Sequence, residues 1–465
     1  MAKGTKLYKL RFAFLVILVF VLGLSLGLAR SRKVGAVTDD IYERLRVFAD
    51  VLSIIQKDYV DGEKTDSEGL VYGGIQGMLS SLDPHSSFMP PDVFKEAQLD
   101  TTGKYEGLGI EIGIRDGVLT VVAPIEGTPA WKAGIKPNDQ ILKIDGETTK
   151  KMSFLETVHR LRGPEGTTVT ITIMREGFDR SKDFTVIRGV IPIKSVRSEI
   201  PENGYGYARI ATFSQRTVSE FREALKTWKT STTGPCKGLI LDLRDNPGGL
   251  LDQAVKVADQ FIDSGAIVSI KGRLPSSRAT YNAHPEGTED DYPIVVLVST
   301  GSASGSEIVA GALQDHDRAL IVGVKTFGKA SVQTLYPLRD GSGLRLTTGR
   351  YFTPHGRDIQ AEGIEPDVLL PPFGGKEEDA EGGSTESRRF LEKDLEGHLE
   401  PLRDDKPESR EKPTNPAVEA FIRTSKAKMK EDETDGQKFL ALEILKHWNE
   451  FQTYFWEERE NTGSS

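Results

Sequence analysis

The chain has 465 residues, 37% of them hydrophobic and 28% charged, with a formal net charge of −9. That length suits about three domains of roughly 150 residues and a sizeable core, while the acidic balance argues against a nucleic-acid partner, whose phosphates need a basic face. With one cysteine, Cys236, and seven histidines far apart in sequence, no internal disulfide can form and no zinc-site spacing occurs, so neither metal nor cofactor is expected.

At the N-terminus, Lys3, Lys6, Lys9 and Arg11 precede an apolar run from Phe12 to Ala29. Eighteen helical residues at ~1.5 Å rise reach about 27 Å, one hydrocarbon core. Residues 1–33 read as a signal peptide, with Gly27-Leu28-Ala29 as a small-residue cleavage site, or, in the favoured reading, as an uncleaved anchor in the inner membrane, because the run exceeds the ~7–15 residues of an ordinary signal core. Basic residues on both flanks leave the positive-inside bias mild, and a cytoplasmic start with an exported body is the favoured orientation.

Residues 34–104 form a helical region: Ile41, Leu45, Phe48, Leu52 and Ile55 keep a three-to-four spacing, and a second run from Leu70 to Leu82 ends at Asp83-Pro84. Residues 105–190 change period. A strand to Ile114, the turn Arg115-Asp116-Gly117 and a strand from Val118 lead to the strand "QILKI" at 140–144. Ser153 and Glu156 then form a capping box that opens a helix to Arg162, and Val169, Ile171 and Ile173 alternate as a strand.

Residues 191–370 alternate helix and strand: helix 217–228, strand 238–244, helix 250–263, strand 294–299, helix 307–315 and strand 319–324. Such alternation implies a layered α/β domain. The stretch 371–415, rich in Glu, Asp, Gly, Pro and Lys, reads as a solvated linker, and 437–456 as an amphipathic helix that docks; together they make up a region 371–465.

Three stretches carry candidate chemistry. "GLGI" at 107–110 (Gly107, Leu108, Gly109, Ile110) is a glycine-permitted turn whose consecutive N–H groups form an anion nest, followed by a strand able to pair with an added peptide. "DLRDNPGG" at 242–249 ends a strand in the Gly248-Gly249 turn, where unhindered N–H groups face a developing oxyanion. "STGSASGSE" at 299–307 offers Ser302, Ser304 and Ser306 before an apolar helix, and Ser304 to Glu307 also matches a plain capping box. A serine hydroxyl needs a base, no histidine lies within these motifs, and Lys329, in a glycine-rich turn with apolar neighbours, fills that role if burial disfavours its charge. His85, His316 and His355 read as turn or solvated residues.

With "LDPHSSFM" (82–89), "GTPAWKAGIKPNDQILKIDG" (127–146), "LILDLRDNPGGLL" (239–251), "KTFGKASVQT" (325–334) and "RYFTPHGRDIQAEGIEPD" (350–367), the chain resembles the carboxyl-terminal processing, or tail-specific, proteases. The resemblance implies an α/β (with α+β) fold: a crotonase/Clp-type-like protease core with an inserted PDZ domain, an N-terminal helical region and a C-terminal helical tail. It further implies Ser304 as nucleophile, Lys329 as base, Gln333 to orient the lysine amine, and oxyanion donors at Gly305 and the Gly248-Gly249 turn. Gly305 stands where the family often carries alanine. Ser302 and Ser306 stay open as alternatives. Orientation by Gln333 requires a helical turn at 329–333 in an active state, because a strand would hold the two residues ~13 Å apart.

The substrates so implied are proteins or peptides with exposed apolar C-termini, cleaved in the periplasm or another extracytoplasmic space. Movement of the PDZ domain would gate the site, and Arg162 at the end of the groove helix is either a latch between domains or a solvated helix-end charge. A homo-oligomer and an adaptor protein are left open. A proteolytically silent, membrane-anchored PDZ scaffold is the alternative reading. A heat-shock-type Ser/His/Asp protease would carry its PDZ domain after the catalytic domain and a Gly-Asn-Ser-Gly-Gly loop, and neither occurs here.

Overall fold

The computed structural model describes residues 41–115, 117–373, 391–402, 416–429 and 435–452. The expected membrane segment, residues 1–33, lies outside them, and no described helix is long and apolar enough to cross a membrane. The chain divides into two units, Met1–Met78 and Leu79–Ser465. In the first, helix α1 (residues 41–58) leads to α2, which begins at Ser67 and runs to Ser80, across the unit boundary. Gln56 on α1 donates to the Ser67 hydroxyl at 2.7 Å, tying the two helices.

The second unit opens with the Asp83-Pro84 turn, where the Asp83 carboxylate accepts the N–H groups of His85 and Ser86, both at 2.9 Å. Strand β1 (Ser87–Met89), helix α3 (Pro91–Thr102) and strand β2 (Lys104–Gly107) follow. A compact sheet body comes next: β3 (Ile110–Arg115), β4 (Val118–Pro124), α4 (Pro129–Lys132), β5 (Gln140–Ile144), β6 (Glu147–Thr148), α5 (Phe154–Leu161), β7 (Thr168–Met174) and β8 (Lys182–Ile187), then β9 (Gly189–Pro192). The strand order is β3-β4-β5-β7-β8 with β6 on β5, and β2 pairs antiparallel with β9 where the chain enters and leaves this body. Val169, Ile171 and Ile173 point into its core, as their alternation requires. The Ser153 hydroxyl caps α5 by accepting the Glu156 N–H at 3.1 Å.

The remaining body contains β10 (Val196–Glu202), β11 (Tyr205–Ile210), α6 (Thr217–Ser231), β12 (Gly238–Asp242), α7 (Leu251–Ala258), β13 (Ala266–Gly272), β14 (Ala279–Asn282), β15 (Ile294–Val298), α8 (Gly305–Asp315), β16 (Leu320–Gly323), β17 (Ser331–Pro337), β18 (Gly343–Phe352) and β19 (Val368–Leu369). One sheet has the order β10-β11-β12-β15-β16-β19, parallel from β11 onward. Every residue of β12 and β15 is buried because both faces are covered. Leu239 and Leu241 join the core that includes residues of α6, α7 and α8, whereas Ile240 joins the core on the other face, formed with α9 (Pro416–Lys426), α10 (Gly436–Lys446) and α11 (Trp448–Gln452).

Several expected boundaries move. The strand expected over 238–244 stops at Asp242, because Arg244 turns its backbone N–H onto the Asp242 carboxylate. The helix expected over 250–263 stops at Ala258, and the one expected over 437–456 breaks at His447, whose N–H closes the last turn on Glu443 and Ile444 carbonyls. A second sheet, β1-β18-β13-β14 with β17 on β18, has no counterpart among the expected elements. Nor is all of 371–415 solvated linker: residues 391–402 pack on the protein, with Glu392 fully buried.

Candidate active site

Helix α8 is buried along its whole length, and Ser304 stands at its N-cap with φ +51° and ψ −109°. An ordinary N-cap is extended; this left-handed conformation is one that a serine adopts only at a cost of about 1–3 kcal/mol, and it is found where a strained turn presents a side chain. Ser304 alone of the three serines is partly exposed. Ser302 donates to the Leu243 carbonyl at 2.8 Å and Ser306 to the Asn246 carbonyl at 2.9 Å, so both hydroxyls are buried and structurally committed. The Glu307 half of the capping box is present as well: its carboxylate accepts the Ser304 N–H at 2.8 Å. Helix start and presented hydroxyl are the same feature.

The Gly248-Gly249 turn lies against this serine. A Cβ on Gly248 (φ +101°) would fall 2.8 Å from both the Gly305 nitrogen and Ser304 Cβ, and one on Gly249 (φ +138°) would strike the Phe213 backbone. Only glycine permits this approach. The Gly248 N–H is taken by Asn246 Oδ1 at 2.9 Å. The N–H groups of Gly249 and Gly305 find no acceptor among the described residues. At Gly305 a Cβ would sit 3.0 Å from the Phe213 ring, so glycine here gives that ring room.

Lys329 is half-buried in the loop between β16 and β17. Burial pushes its amine below the ordinary lysine value; Glu392 pulls the other way, Arg345 adds to the depression, and Glu307 and Asp83 oppose it. No ion pair to Lys329 and no hydrogen bond between Lys329 Nζ and Ser304 Oγ occur among the described residues. Two buried side chains join the serine and lysine loops instead. Glu307 accepts the Thr326 hydroxyl at 2.6 Å and the N–H groups of Gly328 at 2.7 Å and Lys329 at 3.0 Å, besides that of Ser304. Burial pushes the Glu307 carboxyl up to about 7, and these four donors hold it against that push. Tyr351 on β18 directs its hydroxyl to the carbonyls of Ser304, at 3.0 Å, and Lys329, at 2.5 Å.

Gln333 lies on β17, extended, with its amide donating to the Ser331 hydroxyl at 2.9 Å; the helical turn required for it to orient Lys329 is not formed here. Arg162, the C-cap of α5, pairs with Glu96 on α3 at 2.5 Å and lies over the Tyr105 ring, which joins the groove helix to residues outside the sheet body. In "GLGI", the Leu108 and Gly109 carbonyls are spent on Ala130, Ile125 and Thr128. The N–H groups of Leu108 and Gly109 meet no acceptor among the described residues, and β3 beside them is an edge strand. His316, expected to be solvated, is half-buried and bonded through Nε2 to the Ala266 carbonyl at 2.7 Å. Tyr351, Thr326 and the second task of Glu307 act across sequence separations of 19 residues or more, which spacing does not register, while Asn246 acts on Gly248 two residues on, within a turn whose glycines alone draw notice in the sequence.

Residues 204–370 match the family Peptidase family S41, residues 120–175 the PDZ domain, and residues 28–93 the Activating protease CtpB N-terminal domain. The carboxy-terminal-processing protease of Bartonella bacilliformis is 42% identical over 76% of this chain and 82% of its own length. The carboxy-terminal processing protease CtpA of Bacillus subtilis is 38% identical over 69% of this chain and 68% of its own. Among solved structures, a photosystem II D1 C-terminal processing protease is 31% identical, covering 70% of this chain and 92% of that one with a TM-score of 0.42. The sequence resemblance and the matched domains thus agree, and the chain belongs to the carboxy-terminal processing proteases of peptidase family S41, serine-type peptidases that here carry a PDZ domain.

Proposed function

We propose that this protease cuts with a Ser304/Lys329 dyad after capturing a substrate's C-terminus in its PDZ groove. The observation that carries the reading is Ser304 itself: a strained, partly exposed hydroxyl flanked by two spent serines, with a glycine backbone pressed against it. Neutral Lys329 takes the Ser304 proton as Oγ attacks the scissile carbonyl, and the acyl-enzyme forms as Lys329 returns the proton to the leaving amine; water then releases the acyl group. The Gly305 N–H and one from the Gly248-Gly249 turn receive the oxyanion.

The extended Gln333 and the Gly248 N–H held by Asn246 fit a resting form, with activation requiring both to turn. The free edge of β3 and the Leu108 and Gly109 N–H groups suit an added strand ending in a carboxylate, so apolar-tailed proteins are the substrates we favour. In this reading PDZ movement, held by the Arg162–Glu96 pair, gates the site. The run from Phe12 to Ala29 would place the enzyme at a membrane facing an extracytoplasmic space.

The test is digestion of an unfolded, apolar-tailed protein by the full chain, Ser304→Ala and Lys329→Ala. Both variants should lose at least about 1,000-fold in kcat. Because only the neutral amine is a base, wild-type kcat/KM should rise with pH through a limb set by Lys329, below its ordinary value. Near-normal turnover by Lys329→Ala at neutral pH would sink the dyad; binding without turnover by the wild type would favour the silent scaffold.

A further inference from the structure

We propose that Glu392 is a positioning residue for Lys329, reaching the site from beyond the matched peptidase domain and clamping the lysine loop on both sides of Gly328-Lys329. The proposal rests on the reading of Lys329 as the base. Glu392 belongs to residues 391–402, outside the peptidase match that ends at 370. Its carboxylate is fully buried, which is costly unless donors surround it. Two do: His85 Nε2, at 2.8 and 2.9 Å from the two oxygens, and Gln360 Nε2 at 2.8 Å.

Gln360 is the working link. With Nε2 committed to Glu392, its Oε1 accepts the Ala330 N–H at 2.9 Å, immediately after the lysine. On the other side, the Glu392 N–H donates to the Phe327 carbonyl at 3.1 Å. Glu392 thus pins residue 327 through its backbone and residue 330 through Gln360, while between them Gly328 has φ +95° and supplies no stiffness of its own. The segment is in turn fastened by the Leu402 N–H to Asp358 at 2.8 Å and by Arg350 to the Glu400 carbonyl. His85 carries the clamp to the Asp83–Ser86 turn, and gives the "LDPHSSF" histidine a role beyond shaping that turn.

The charged groups that act on Lys329 are Glu392, Arg345, Glu307 and Asp83, and Glu392 favours the protonated amine more than the other acids do. Removing its charge therefore makes the lysine easier to deprotonate and moves the acidic limb of the rate profile to lower pH. The experiment measures kcat, KM and pH profiles of the full chain, Glu392→Ala, Glu392→Gln and Lys329→Ala. Glu392→Ala should lose about 10-fold in kcat with KM changed less than about 2-fold, from a base displaced by a fraction of an ångström, and its limb should shift downward. Glu392→Gln keeps an acceptor for Gln360 and should restore kcat to within about 3-fold while showing the same shift.

Wild-type kcat and limb in both Glu392 variants overturn the proposal. So does an equal loss in both with the limb unmoved, which marks a plain packing role. If Lys329→Ala stays active, the base assignment itself has failed; if it is inactive while both Glu392 variants match wild type, only the clamp has failed.

Discussion

The two halves of the candidate dyad are held by different means. Ser304 is fixed by its own backbone: a strained N-cap, a buried helix behind it, Gly248 in front, and neighbours two residues away whose hydroxyls are used up. Lys329 sits in a loop whose glycine supplies no stiffness, and it is fixed by side chains from other segments: Glu307, Gln360 and Tyr351. The nucleophile is set by backbone geometry, its own N-cap and the Gly248-Gly249 turn packed against it. The base is set by side-chain hydrogen bonds, and two of the residues that make them, Glu307 and Tyr351, also bond Ser304.

The contrast is broken most severely at Glu307, one of the two residues, with Tyr351, that both halves share. Glu307→Ala would leave the Thr326 hydroxyl and the N–H groups of Ser304, Gly328 and Lys329 without their acceptor, a loss on the order of 3–5 kcal/mol in urea unfolding. A midpoint like that of the wild type would mean the two loops are not joined through this carboxylate. Gly248→Ala attacks the serine half alone. A methyl group 2.8 Å from Ser304 Cβ and the Gly305 nitrogen should cut kcat roughly 100- to 1,000-fold, and an active, folded variant would remove the turn from the oxyanion site. Tyr351→Phe is the mildest: losing the hydroxyl shared by the Ser304 and Lys329 carbonyls should cost about 1 kcal/mol of stability and about 10-fold in kcat, with KM unchanged. A rise in KM instead would point to the substrate groove rather than to the alignment of serine and lysine.

The sequence disclosed most where the physics is local. "QILKI" is a strand at its expected bounds, and the α8 start is visible in Ser304 and Glu307 because a cap acts over three residues. It disclosed least where contacts span the chain. Strands β17 and β18 carry Thr, Arg and Gly at half-exposed positions, which pattern alone assigns to loops. Glu392 lies in a charged stretch whose composition predicts solvent, yet it is buried by one donor 307 residues away and another 32 away. The second task of Glu307, holding Gly328 and Lys329, was hidden behind the first, since a capping box already accounts for a glutamate at that position.

Arg244, two residues beyond β12 and four before the Gly248-Gly249 turn, bonds Asp242 on one side and Asp435 and Gln437 on the other. Those last partners lie 191 and 193 residues further along the chain. Without the segment that carries them, the guanidinium would lose half its acceptors and one face of the sheet the helix that covers it. The strand that leads to the turn beside Ser304 is in this way tied, through one guanidinium, to a helix far along the chain.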